Sequence, residues 1–197
     1  MTLNEMKLGF IGAANVHVSD MDEAKLKAFA EEGVNTFTSN QKVVEKSDII
    51  ILAVKPNIYP NVLSEISRLN GMENKLLVSI APGLSIQYIK SFFGGSVKVI
   101  RTMPNTPAQI GEGMTVSCYE APVLEEEFAM INQIFQSIGK VESIAESYMN
   151  AVVAVNGSSP AYVYMMIEAM ADAAVMRGIP RQMAYRLAAQ SVAGAAK

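Results

Sequence analysis

Cysteine is nearly absent from this chain. Its 197 residues hold one, Cys118, which cannot close an internal disulfide and sits in an apolar, strand-like run. A reduced compartment, the cytoplasm, is therefore the expected setting. Charge is also scarce: 18% of residues are charged, the net charge is −3, and Lys and Arg are scattered. That balance argues against a nucleic-acid or acidic-membrane partner and leaves room only for a local anion site. No apolar run reaches the ~18 residues of a membrane span, and residues 1–7 lack the layout of a signal peptide. Histidine is limited to His17, inside a strand-like run with no Cys or acidic cluster around it, and reads as structural. No metal-ligand spacing and no nucleophile–base pair stands out. What is present is a globular composition, 50% hydrophobic, long enough for one or two domains.

The chain changes character near residue 145. Before it, short β-branched runs alternate with helical patterns. Strands are expected over 34–38, 48–54, 75–81, 97–103, 113–119 and 141–144, and helices over 21–32, 40–46, 57–69, 85–93 and 124–138. This alternation predicts an α/β fold, a doubly wound, mostly parallel sheet over 1–145. After Glu146 the strand signals stop, and helices are expected over 147–155, 159–177 and 181–197. Gly178 and Pro180 mark the break between the last two. These helices are rich in Ala and Met and poor in charge, so a partner subunit is expected to cover part of them. The sequence ends in mid-helix at Lys197 with no stop signal, which suggests truncation.

Residues 7–12 read as a first strand ending in glycine, and 16–20 as a second ending in Asp20. A dinucleotide-binding unit needs a glycine-rich turn and a crossover helix between them, about a dozen residues or more. Here they are missing. The expectation is that the intervening residues exist but are left out of the sequence as written. The Cα separation around Ala13, Ala14 and Asn15 would then exceed the roughly 3.8 Å of a bonded pair.

Several loops follow strand ends, where open α/β sheets place ligands. Asp20 suits the ribose hydroxyls of NAD or, equally, the N-cap of the next helix. Ser19 could donate to a 2′-phosphate, with Lys25 nearby. Lys55, in Ala53-Val-Lys-Pro56, is placed to meet a phosphate or carboxylate, or simply faces solvent at a loop start. Ser79-Ile-Ala-Pro-Gly83 and Arg101-Thr-Met-Pro-Asn-Thr-Pro107 end the next two strands. Two prolines around Asn105-Thr106 make a rigid loop with two hydrogen-bonding side chains. Asn156-Gly-Ser-Ser-Pro160 opens a helix, where free N–H groups hold an anion or are capped by Ser158 or Ser159. Glu146 either anchors a cationic substrate nitrogen or starts the helix at Ser147.

The fragments G-F-I-G-A, A-V-K-P, S-I-A-P-G, R-T-M-P-N-T-P and N-G-S-S-P-A-Y, in this order and spacing, resemble pyrroline-5-carboxylate reductase. The resemblance runs from Lys7 to Lys197 and includes Glu168-Ala-Met-Ala-Asp172 and Ala188-Ala-Gln-Ser191. It implies a Rossmann-like domain over 1–145 and the start of a helical dimerisation domain over 146–197. It also implies hydride transfer from NADPH or NADH to 1-pyrroline-5-carboxylate, the last step of proline synthesis. By similarity Gly12, Ala13, Ser19, Asn40, Val54, Lys55, Pro56 and Ala81 line the cofactor site. Asn105, Thr106, Ser158 and Ser159 border the substrate, and Glu146 lies close to its amine. No metal is implied, and a homodimer or higher homo-oligomer is.

Three departures qualify the resemblance. The pyrophosphate turn after Ala13 is missing, which implies a chain inactive as it stands. Ser159 stands where the family usually has Gly, and the sequence stops before a later Ser/Gly/Thr-rich loop. Two alternatives remain: a non-catalytic nucleotide-binding paralogue, and a hydroxy-acid dehydrogenase. The second usually needs a lysine acid in the helical domain, and Lys197 is the only lysine after Lys140.

Overall fold

The computed structural model describes residues 16–197. The expected first strand, Gly12, Ala13 and the Ala13–Asn15 spacing lie outside the described residues. Strand β1 (His17–Ser19) pairs in parallel with β2 (Asn35–Phe37) across helix α1 (Glu23–Glu31). The Asp22 carboxylate accepts from Ala24 N at 3.0 Å and caps this helix. Asp20 instead accepts from Asp22 N at 2.9 Å, so the helix starts two residues later than expected.

Helix α2 (Asn40–Lys46) leads into β3 (Ile49–Leu52), α3 (Tyr59–Ile66), β4 (Leu76–Ser79), α4 (Ile86–Ser91) and β5 (Lys98–Met103). The three strands pair in parallel, with β4 in the middle. Strand β6 (Gly113–Tyr119) runs antiparallel to β5, and β7 (Gly139–Ser143), after α5 (Glu125–Gln136), runs parallel to β6. The sheet order is β3-β4-β5-β6-β7. Among the described residues β1 pairs only with β2, and a cavity of about 560 Å³ is lined by residues of both β1 and β3.

Both faces of the five-stranded sheet are covered, which is why its central strands read as unbroken apolar runs. Leu77 and Val99 pack with Tyr59, Leu63, Ile86 and Ile89 on one side. Leu76, Val78 and Ile100 meet Phe128, Ile131 and Phe135 on the other. The alternation follows the two-residue period of the strand.

The segment 147–155, expected as a helix, is instead two short 3₁₀ turns, Glu146–Tyr148 and Ala151–Val153. It crosses the end of the sheet, burying Met149 in the core and offering Asn150 to Arg101. The β-branched Val152 and Val153 pack against the same core. Hydrogen bonds three residues apart, such as Met149 N to Glu146 O at 3.0 Å, replace an α-helical ladder. Helices α6 (Ser159–Met176) and α7 (Arg181–Ala196) then form a hairpin, closed through buried Ala171, Ala184 and Ala188 and the Asp172–Arg181 ion pair. Tyr162, Met165, Met166 and Leu187 are left exposed on it. No helix among the described residues is long and apolar enough to cross a membrane.

Strand β7 enters the sheet at a point where two glycine backbones meet. Gly139 has φ +149°, and a Cβ there would collide with the Gly113 carbonyl. Gly139→Ala is therefore expected to destabilise the fold by about 2–4 kcal/mol, read as a lower midpoint in urea denaturation.

Candidate functional site

A cleft of about 950 Å³ lies at the carboxyl ends of the parallel strands. Ser19 ends β1, Val54, Lys55 and Pro56 follow β3, Ala81 follows β4, and Met103 ends β5. All of these line the cleft, together with Asn40 from the first turn of α2. Asn105 and Thr106 close one side, and Gly157 and Ser158 approach from the loop before α6. The structure brings these residues together because strand-end loops are where a parallel sheet leaves backbone groups unpaired.

At the β1 end, Ser19 Oγ donates to Asn40 Oδ1 at 2.8 Å, and Asn40 Nδ2 donates to Glu65 Oε2 at 2.9 Å. The Ser19 proton is thus committed, while its lone pairs stay available. Asp20 and Lys25 face each other at 3.7 Å, so both signs of charge stand at this end.

Beneath the cleft, three fully buried hydroxyl side chains link the strand ends. Tyr59 Oη donates to Leu52 O at 2.6 Å and meets Ser79 Oγ at 2.9 Å. Ala81 N donates to Ser79 Oγ at 3.4 Å, and Thr102 Oγ1 donates to Ser79 O at 3.0 Å. Since the tyrosine proton goes to Leu52 O, Ser79 donates to the Tyr59 oxygen. Burial pushes the Tyr59 phenol up to about 12, so it stays a donor across the working range.

The other candidates divide. Asn105 lies at the cleft, but its amide is occupied: Oδ1 accepts from Met114 N at 2.8 Å and Nδ2 donates to Asn156 Oδ1 at 3.1 Å. Glu146 and Ser159 do not line the cleft. Glu146 Oε1 accepts from Ile86 N at 2.7 Å and from Arg101 Nη1 at 3.2 Å. Arg101 is 3% exposed, donates from Nη2 to Asn150 Oδ1 at 2.9 Å, and keeps a buried Nε without a partner. His17 stacks on Phe37 with ring centroids 6.0 Å apart and sits 3.4 Å from Ser47 Oγ. Sequence reasoning missed Tyr59, Thr102 and the bonding of Asn156. The available signal was polar residues inside otherwise apolar runs, which demand buried partners.

Cys118, opposite Arg101 in the β5–β6 register, is also pushed up to about 12, by burial first and then by the Glu146 carboxylate. Both Tyr59 and Cys118 bind their proton more tightly folded than unfolded, from ordinary values of 10.0 and 9.0. Their stabilising contribution is complete below about pH 9 and is lost as pH rises toward 12. Thermal melts should fall across that window, and Tyr59→Phe with Cys118→Ala should flatten the fall while lowering stability at pH 7 by about 2–4 kcal/mol.

With this geometry in place, comparison with known proteins identifies the family. The family model for pyrroline-5-carboxylate reductase dimerisation matches residues 146–197, and one described as NADP oxidoreductase, coenzyme F420-dependent, matches 4–83. A pyrroline-5-carboxylate reductase of Escherichia coli is 44% identical over 214 residues, spanning 98% of this chain and 79% of that one. Because 98% of a 197-residue chain is shorter than 214, about twenty residues within the aligned span of that relative have no counterpart here. Among solved structures, the Coxiella burnetii reductase superposes with TM-score 0.84 at 29% identity, over 94% of this chain and 72% of that one. The Plasmodium falciparum pyrroline carboxylate reductase, solved with NADP bound, gives TM-score 0.79 at 30% identity, over 91% and 76%. The chain belongs to the pyrroline-5-carboxylate reductase family.

Proposed function

We propose that this cleft reduces 1-pyrroline-5-carboxylate to L-proline with NADPH or NADH. The observation that carries the reading is a single cleft joining the strand-end loops to the loop before α6. Its volume and its position at the carboxyl ends of the strands fit an extended dinucleotide. When bound, the nicotinamide supplies the hydride. Ser19 and Asn40 hold the ribose end, and the backbones at Val54, Lys55, Pro56 and Ala81 form the wall along the cofactor. Gly12 and Ala13, expected at the same site, lie outside the described residues.

A cyclic imine needs no nucleophile; it needs orientation and exclusion of water. Thr106 offers a hydroxyl in the cleft, and Ser158 precedes α6 with its side chain making no cap hydrogen bond. These two hydroxyls suit the polar edge of the substrate, whereas Ser159 stands outside the cleft and the next N–H groups of α6 are spent on Ser158 O. Asn105 contributes through its backbone, because its side chain is bonded elsewhere. Glu146 stands outside the cleft, paired with Arg101 and with Ile86 N, and supports the site through that junction rather than by meeting the imine nitrogen.

The same reading divides the chain into a cofactor domain over 1–145 and a helical domain over 146–197. It places the protein in the cytoplasm as a homodimer or higher homo-oligomer without a nucleic-acid partner. The buried lone thiol, the net charge of −3 and the exposed apolar residues of α6 and α7 support it.

The test is imine-dependent oxidation of NAD(P)H, followed by absorbance, with the mass-verified 197-residue chain beside a form in which a glycine-rich turn and crossover helix are inserted after Ala13. Turnover by the shorter chain would show that the cleft suffices without that turn. Turnover only by the longer one would assign the pyrophosphate contacts to the turn, which is the expected result. Inactivity of both overturns the reading.

A further inference from the structure

One buried amide in the loop before α6 has no role in the reading so far. Asn156 is 5% exposed and does not line the cleft. Its Nδ2 donates to Met103 O at 2.8 Å, at the last residue of β5. Its Oδ1 accepts from Asn105 Nδ2 at 3.1 Å, and its backbone carbonyl accepts from the same nitrogen at 3.3 Å. Asn105 in turn accepts from Met114 N at 2.8 Å, at the start of β6. Two amides therefore join three stretches of backbone, and each has its orientation dictated by what it must donate and accept.

The surrounding chain leaves little slack. Asn156 N donates to Val152 O at 2.7 Å, and Ser158 N donates to Val153 O at 2.8 Å. A Cβ at Gly157 would lie 3.3 Å from Val153 O and 3.8 Å from Met103 Sδ. The loop is thus pressed against the end of β5, with Thr106 on one side of the brace and Ser158 on the other, both facing the cleft.

We propose that Asn156 is a positioning residue: it sets the spacing between Thr106 and Ser158, and through it the fit of the imine in the cleft, without touching the substrate. This rests on the reductase reading. Alanine at this position removes the brace. Aspartate keeps its shape and its acceptor but loses the donor, and sets a carboxylate against the Met103 carbonyl.

The test compares Asn156→Ala and Asn156→Asp with wild type in whichever form of the chain turns over. Both should raise the KM for the imine about tenfold while leaving the KM for NADPH within about twofold. Amide exchange at Met114 should quicken in Asn156→Ala, since the Asn105 side chain that accepts from it loses its Oδ1 partner. A wild-type imine KM in Asn156→Asp overturns the proposal, as does an equal rise in both KM values in either variant. Unchanged exchange at Met114 in Asn156→Ala overturns it too, and that readout needs no turnover. Failure of the reductase reading is distinct, because wild type itself is then inactive in both forms.

Discussion

The cleft depends on the ends of β3, β4 and β5 being held level, and a line of buried hydroxyls does this. Tyr59, Ser79 and Thr102 are fully buried, and their bonds run from Leu52 through Ser79 to β5. In a parallel sheet the ladder stops at the last paired residue, so backbone groups beyond it need other partners. Side chains from a helix and from the strands themselves supply them here. The loops carrying Val54, Ala81 and Met103 therefore leave the sheet from a common, rigid edge.

A second set of buried polar contacts joins that edge to the segment leading into α6. Arg101 could not sit at 3% exposure without a partner, and Glu146 and Asn150 provide it from a segment some 45 to 49 residues later. The same carboxylate also takes the Ile86 N–H at the start of α4. Glu146 is thus a structural junction that ties the start of α4 and strand β5 to the segment before α6. The short 3₁₀ turns around it follow from this: the segment has to bury Met149 and turn Asn150 toward Arg101 within a few residues.

The alternating strands and helices were legible in the sequence because the buried strands are short, mostly apolar runs and most helices end at or next to Gly, Pro or a polar cap. The segment 147–155 was misread because its apolar residues fit a helical period, while long-range partners decided its shape. The capping of α1 went to Asp22 rather than Asp20, since both acids stand before the helix and only the turn geometry separates them.

The sequence alone determined the family and the α/β pattern, and pointed to the strand-end loops that line the cleft, because motif order and apolar periodicity are local properties of a chain. It could not say which polar groups face a ligand and which are spent on the fold. Asn105 and Glu146 carry chemistry suited to a substrate, yet the structure engages the first with Met114 and Asn156 and the second with Arg101 and Ile86. A side chain has a fixed number of donors and acceptors, and most of these partners lie tens of residues away in sequence. Only tertiary packing decides how many of them remain for a ligand.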